Sequence, residues 1–148
     1  MMLRGLRTAS VGSNTFIRDF ARIETVPRPG VPAPELKIGD RVTMEQGAHI
    51  ACCDRITIGD DVSFAAHCTI VDTHHPEDSV GNRARALSSE RSFVHIGDRV
   101  FLGTNVTVLR NVTIGENSVI GANSVVSRDI PANSVAVGAP ARVVRSVR

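Results

Sequence analysis

The chain has 148 residues, enough for one domain with a continuous core and short for two. Its 17 basic and 15 acidic residues leave a formal charge of +2, which is too balanced to indicate a nucleic-acid partner. No apolar run approaches the ~20 residues of a membrane span, and the N-terminal residues lack the apolar stretch of a signal peptide. We therefore expect no membrane span and a cytoplasmic location.

The composition predicts a thin interior. Trp and Tyr are absent and Phe occurs five times, so Val, Ile, Leu and Ala must fill the core. The three cysteines show no C-x-x-C spacing, which argues against a disulfide framework or a zinc knuckle. Cys52 and Cys68 are predicted to be small apolar residues of the core.

The first part of the chain carries a weak repeat and then a proline-rich segment. Val11, Ile17 and Ile23 are six residues apart, a spacing that fits neither a simple helix nor a simple strand. Residues 24–37 contain four prolines and are predicted to form a loop.

After this loop the period of six becomes clear. Aliphatic, aromatic or thiol residues recur in three blocks, with a two-residue slip between the first two: Ile38, Met44, Ile50; Cys52, Ile58, Phe64, Ile70; and Ile96, Leu102, Val108, Ile114, Ile120, Val126. Gly often follows the repeated residue and Asp or Asn comes soon after, and both residue types tolerate tight turns and a positive φ. The pattern predicts an all-β solenoid with stacked coils.

Residues 71–95 leave the register. A long excursion from a rigid solenoid is a common place for function, and this one contains the pair His74 and His75 before Pro76. We treat 1–148 as one domain with loops at 24–37 and 71–95.

The motifs ITIGDDVSFAAHCTIVDTHHP and DIPANSVAVGAPARVVR resemble the hexapeptide-repeat acyltransferases, particularly the galactoside and maltose O-acetyltransferase branch. The likeness is good over 56–145, loose over 38–55 and minimal over 1–37. It implies a left-handed parallel β-helix, a homotrimer, and transfer of an acetyl group from acetyl-CoA to a hydroxyl of a sugar, glycan or similar small acceptor, with no metal.

The resemblance assigns the catalytic base to His75, because the family's histidine follows the IGD turn at a fixed distance. Imidazole titrates near neutral pH and can take the proton of an attacking hydroxyl. His74 is the weaker candidate, since neighbouring side chains in an extended segment point in opposite directions. Asp72 either orients the imidazole or is a solvated or turn-capping carboxylate.

The resemblance also implies a coenzyme A site along the C-terminal coils. Backbone amides of turns bind anions and amides, and the planar guanidinium of Arg suits phosphate. The matching positions are Gly103, Thr104, Ala122, Arg128, Arg142 and Arg145.

The sequence departs from the branch at the acceptor positions. Glu45 and Cys53 stand where the branch has Asn and Asp, so the sequence lacks the pair with which that branch recognises its sugar. Two alternatives remain: a zinc-dependent trimer like the γ-class carbonic anhydrases, and a non-catalytic scaffold. For the zinc enzyme, His49 and His67 are one 18-residue turn apart, but the two-residue slip shifts them out of line.

Overall fold

The computed structural model describes residues 1–73, 75 and 90–147. Within them the chain forms eighteen strands and one turn of 3-10 helix, Leu6–Thr8. The strands are β1 Met2–Arg4, β2 Ala9–Val11, β3 Phe16–Ile17, β4 Arg22–Thr25, β5 Glu35–Ile38, β6 Thr43–Met44, β7 His49–Cys52, β8 Arg55–Ile58, β9 Ser63–Phe64, β10 Thr69–Val71, β11 Val94–Ile96, β12 Phe101–Leu102, β13 Thr107–Val108, β14 Val112–Ile114, β15 Val119–Ile120, β16 Val125–Val126, β17 Ser134–Gly138 and β18 Ala141–Ser146.

The strands form three sheets that enclose one core. Sheet 1 has the order β1-β4-β7-β10-β13-β16, sheet 2 the order β14-β11-β8-β5-β2, and sheet 3 the order β18-β17-β15-β12-β9-β6-β3. Every pairing is parallel except that of β18, which turns back along β17. The predicted all-β, left-handed parallel β-helix is confirmed.

The period of six follows from this architecture. Repeated residues stack in one inward column for each sheet; in sheet 1 the column is Leu3, Ile23, Ile50, Ile70, Val108 and Val126. Most of these side chains are fully buried, and each buried aliphatic side chain contributes roughly 1.5–3 kcal/mol. The weak N-terminal run is confirmed as a true coil, and Cys52 and Cys68 are confirmed as core residues.

The three sheets form a three-sided coil, and its three corners differ in the number of residues that cross them. We call the passage from sheet 1 to sheet 2 the first corner, from sheet 2 to sheet 3 the second, and from sheet 3 to sheet 1 the third. Successive core residues are six apart across the second and third corners, as in Ile96, Leu102 and Val108. Across the first corner the step varies, from six between Val108 and Ile114 to 26 between Ile70 and Ile96.

Both predicted loops and the two-residue slip lie at this first corner. The proline-rich loop is shorter than predicted, because β4 extends to Thr25 and β5 begins at Glu35. The second excursion likewise begins after Val71 and ends before Val94. Residues 74 and 76–89 lie outside the described part of the chain.

Glycine and asparagine have separate roles at the turns. Positive φ belongs to residues such as Asn105, Asn117 and Asn123, whereas Gly97, Gly103, Gly115 and Gly121 are not in that region. Space is the constraint on the glycines: a Cβ on Gly115 would lie 2.3 Å from the backbone N of Ala132. The expectation of positive φ was therefore right for asparagine and wrong for these glycines.

Within the described residues, no helix is long and apolar enough to cross a membrane.

Candidate active site

His75 lies at the first corner, four residues beyond the end of β10, and its side chain is exposed. Strand β10 sits in the middle of sheet 1, between β7 and β13. The proposed base therefore stands halfway along the β-helix. His74 lies outside the described residues.

Asp72, at the start of the excursion, caps the preceding coil. It is fully buried, and its carboxylate accepts hydrogen bonds from the backbone amides of Cys53 at 2.7 Å and Asp54 at 2.8 Å. Burial raises the pKa of this carboxyl, although the backbone amides oppose the shift. The capping role predicted as one of two alternatives for Asp72 is therefore the one supported by these contacts.

Asp54 holds the other end of the excursion. Its Oδ2 accepts hydrogen bonds from Nε of Arg91 and from the backbone amide of Ser92, each at 2.7 Å. Burial opposes ionisation of Asp54, but these bonds and the charges of Arg91 and Arg28 together hold the pKa below its ordinary value. Asp54 thus remains an anion at neutral pH.

Arg28 ties the proline-rich loop to the same corner. Its guanidinium is buried; Nε donates to the carbonyl of Cys53 at 3.2 Å and Nη1 to the carbonyl of Glu90 at 3.2 Å. Nη2 lies 3.8 Å from Oδ2 of Asp54. Sequence reasoning missed this cluster of Arg28 and Asp54, although the two-residue slip marked the corner where it lies.

Three of the predicted coenzyme positions come together at the third corner. Gly103 and Thr104 form the turn before β13, and Ala122 occupies the equivalent turn before β16. The amide of Asn123 donates to the carbonyl of Thr104 at 2.8 Å, and a Cβ on Gly103 would lie 2.7 Å from N of Ala122. Among the described residues, no hydrogen bond engages the amides of Thr104 and Ala122, so both are available to a ligand.

The predicted arginines are spread over three corners. Arg142 pairs with Val137, next to Gly138 at the third corner, whereas Arg145 pairs with Val135, near the second-corner end of β17. Arg128 follows β16 at the first corner. Only Arg142 therefore lies on the same corner as Thr104 and Ala122.

The predicted base and the predicted coenzyme turns lie at opposite ends of the strands of sheet 1. Each strand of this sheet runs from the third corner to the first; Thr104 precedes β13, and His75 follows β10. One chain thus presents the two halves of the predicted site in different directions.

Glu45 and Cys53, at the acceptor positions of the resembled branch, cannot bind a sugar as Asn and Asp do there. Oε2 of Glu45 is 3.0 Å from Nε of Arg18, in an ion pair at the third corner. Cys53 is buried, and burial raises the pKa of its thiol to about 11. Neither residue offers the free polar group of an Asn or Asp.

The metal-site alternative finds no support in the stacking of histidines. His49 is the partner of Thr69 in the sheet, and a Cβ on Gly47 would lie 2.3 Å from Nδ1 of His67. His67 thus stacks over Gly47 and not over His49, as the slip predicts. The described residues contain no group of three metal-binding side chains.

Comparison with known proteins agrees with the repeat and the fold. The model of the bacterial transferase hexapeptide family (six repeats) matches residues 93–128. Galactoside O-acetyltransferase of Escherichia coli (strain K12) is 45% identical over 93 residues, covering 62% of this chain and 44% of that protein. A putative lipopolysaccharide biosynthesis O-acetyl transferase, WbbJ, of the same organism is 40% identical over 113 residues, covering 72% of this chain and 58% of its own.

A solved structure shares the architecture. The hexapeptide-repeat acetyltransferase of Vibrio cholerae O1 biovar eltor, in complex with acetyl coenzyme A, superimposes with a TM-score of 0.73 at 25% identity, covering 93% of this chain and 70% of that one. The chain spans about half the length of the curated relatives it matches. Its repeat, its three-sheet fold and these relatives together show that the chain belongs to the hexapeptide-repeat acyltransferase family.

Proposed function

We propose that the protein transfers an acetyl group from acetyl-CoA to a hydroxyl of a sugar, glycan or similar small acceptor. The observation that carries the proposal is the pair of open amides at the stacked turns of Thr104 and Ala122, on the coils that follow His75. Such amides suit the pantetheine arm of coenzyme A. The acetyl-CoA complex of the Vibrio relative supports the choice of donor.

His75 acts as the general base. Its imidazole takes the proton of the acceptor hydroxyl while the hydroxyl oxygen bonds to the thioester carbonyl carbon. Backbone N–H groups of the turns stabilise the tetrahedral oxyanion. The C–S bond then breaks, and the departing sulfur takes the proton from His75, which leaves coenzyme A as a free thiol and the acetyl group as an ester.

The site is completed by a second chain of a homotrimer. His75 and Thr104 lie at opposite ends of the strands of sheet 1. A cleft between neighbouring chains can therefore bring the base of one chain to the coenzyme turns of the next. Three-fold symmetry gives three equivalent clefts. Arg142 shares the third corner with those turns, which supports a role for its guanidinium in binding the coenzyme phosphates.

The test is an acceptor screen with purified protein. Thiol release from acetyl-CoA is followed with neutral glycosides, acidic glycosides and amino sugars, and coenzyme A binding is measured by calorimetry. We expect coenzyme A binding and acceptor-dependent thiol release. A protein that fails to bind coenzyme A, or whose only activity follows added zinc, contradicts the proposal.

A further inference from the structure

The outer face of sheet 1 changes its chemistry at β10. On the strands before β10 the outward positions hold four polar residues, Arg4, Arg22, Glu24 and His49, beside Met2 and Ala51. On the strands after it, the matching positions hold Thr107 and Val125. Charge is therefore concentrated on the side of His75 opposite the coenzyme turns.

Glu24 is the centre of the charged cluster. Its side chain is only 9% exposed although it points away from the core, and its Oε1 lies 2.9 Å from Nη2 of Arg22. Nε2 of His49 lies 3.8 Å from the same oxygen, is shielded from solvent and has no hydrogen-bond partner among the described groups. A buried polar atom without a partner is uncommon, and His49 thus backs Glu24 from outside the cavity lining.

A cavity of about 390 Å³ opens beside this cluster, lined by Arg4, Arg22, Glu24, Thr25, Val26 and Pro27. Pockets of this size accommodate small molecules. Arg22 is paired with Glu24, whereas Arg4 forms no ion pair with any described residue. The walls thus carry one guanidinium charge without a carboxylate to balance it.

We propose that this cavity binds an anionic sugar unit of the acceptor. Arg4 pairs with its carboxylate or phosphate, and the Glu24 carboxylate in the cavity wall accepts a hydrogen bond from a ring hydroxyl. Strand β4 lies two strands from β10, about 10 Å away, a distance that an oligosaccharide spans. One unit of an acidic glycan would occupy the cavity while a hydroxyl of the next unit meets His75, so the inference rests on the proposed acetyl transfer.

Binding to the full chain tests the site without relying on turnover. Methyl β-glucuronide, glucose 6-phosphate and the neutral methyl β-glucoside are titrated into the coenzyme A complex, with ligand-observed NMR as the readout. Glucuronide and sugar phosphate distinguish a carboxylate from a phosphate acceptor. We expect at least one anionic probe to bind roughly tenfold or more tightly than the glucoside, as a charge-assisted contact gives.

Arg4→Gln should remove that preference and leave coenzyme A affinity unchanged. Arg7→Gln is the matched control, since Arg7 is exposed in the 3-10 turn and does not line the cavity. Equal binding of all three probes, binding of none, or an unchanged preference in Arg4→Gln overturns the inference. Failure of the proposed function has a separate signature: wild-type protein that does not bind coenzyme A, whatever the sugars do.

Discussion

The backbone amide of Asp54 donates a 2.8 Å hydrogen bond to Oδ2 of Asp72, so the start of the long excursion is held by a residue whose own carboxylate holds its end. Both ends therefore meet at one corner residue. His75 follows Asp72 by three positions, and this anchoring fixes the point from which it extends. A buried network of this kind restricts the backbone more strongly than a surface contact does.

Asp54→Asn should lower the free energy of unfolding by about 1–3 kcal/mol at pH 7, because a charged acceptor of two hydrogen bonds is lost. The folded pKa of Asp54 lies below its ordinary value, so the stability from its charge is present above the unfolded pKa and is lost as pH falls through the folded pKa. The difference between wild type and variant should shrink on acidification. Urea melts at pH 7 and at about pH 2 measure it, since the charge is lost only below the unfolded pKa, with Asp19→Asn as a surface control. A difference that stays constant would contradict the prediction.

His75→Ala should reduce acetyl transfer by roughly 10²-fold or more, since a general base typically contributes that much. Coenzyme A binding should persist, because the turns of Thr104 and Ala122 lie at a different corner. His74→Ala should have a milder effect. Steady-state kinetics and calorimetry on both variants measure this, and a larger loss in His74→Ala would reverse the assignment.

Arg142→Ala should raise the acetyl-CoA KM more than it changes kcat, because a phosphate contact holds the ground and transition states alike. Arg145→Ala and Arg128→Ala should act in the same direction but less strongly, since these residues lie at other corners than the open amides. Kinetics at saturating acceptor separate the three. An unchanged KM in all of them would make the C-terminal arginines a solvated surface.

Mixed trimers should recover activity from two inactive chains. His75→Ala removes the base at the first corner. Thr104→Trp is designed to block the coenzyme path at the third corner. After the two are unfolded and refolded together, some clefts inherit both intact halves. Light scattering should show a trimer, and a monomer at working concentration rejects the assembly. A trimer without rescue would mean that one chain supplies both halves.

Gly115→Ala should destabilise the fold by about 2–3 kcal/mol, because its Cβ would meet the backbone of Ala132 at 2.3 Å and backbone cannot easily yield. Gly121→Ala is the matched control: there the nearest atom is Cγ1 of Val137 at 2.7 Å, a side-chain atom that can rotate away. Its cost should be below about 1 kcal/mol. Thermal unfolding of both variants measures the two losses of stability. Equal losses would show that close approach of the backbone is not what selects glycine at 115.

The period of six was enough to predict the coils, because each inward residue such as Ile96 or Ile114 stacks directly on its equivalent in the sheet. The role of the glycines could not be read from the period, since their constraint comes from the backbone of the next coil. Contacts between loops could not be predicted from the sequence either. Arg28 and Glu90 are 62 residues apart, and no local pattern links them. The arginines lie on three different corners because β18 runs back along β17, which separates Arg142 from Arg145, and because Arg128 follows β16.

At the first corner, the number of residues between two strands does not affect how their core residues stack. The step across it is 15 residues between Ile23 and Ile38, eight between Ile50 and Ile58, 26 between Ile70 and Ile96, and six between Val108 and Ile114, yet each column of core residues stays in line. An insertion or deletion there leaves the rest of the solenoid unaltered, whereas the other two corners keep a constant step of six, so a residue added there must be extruded as a bulge or must shift the pairing of the next strand. Segments could therefore be exchanged at this corner between related solenoids, carrying their chemistry with them as interchangeable parts.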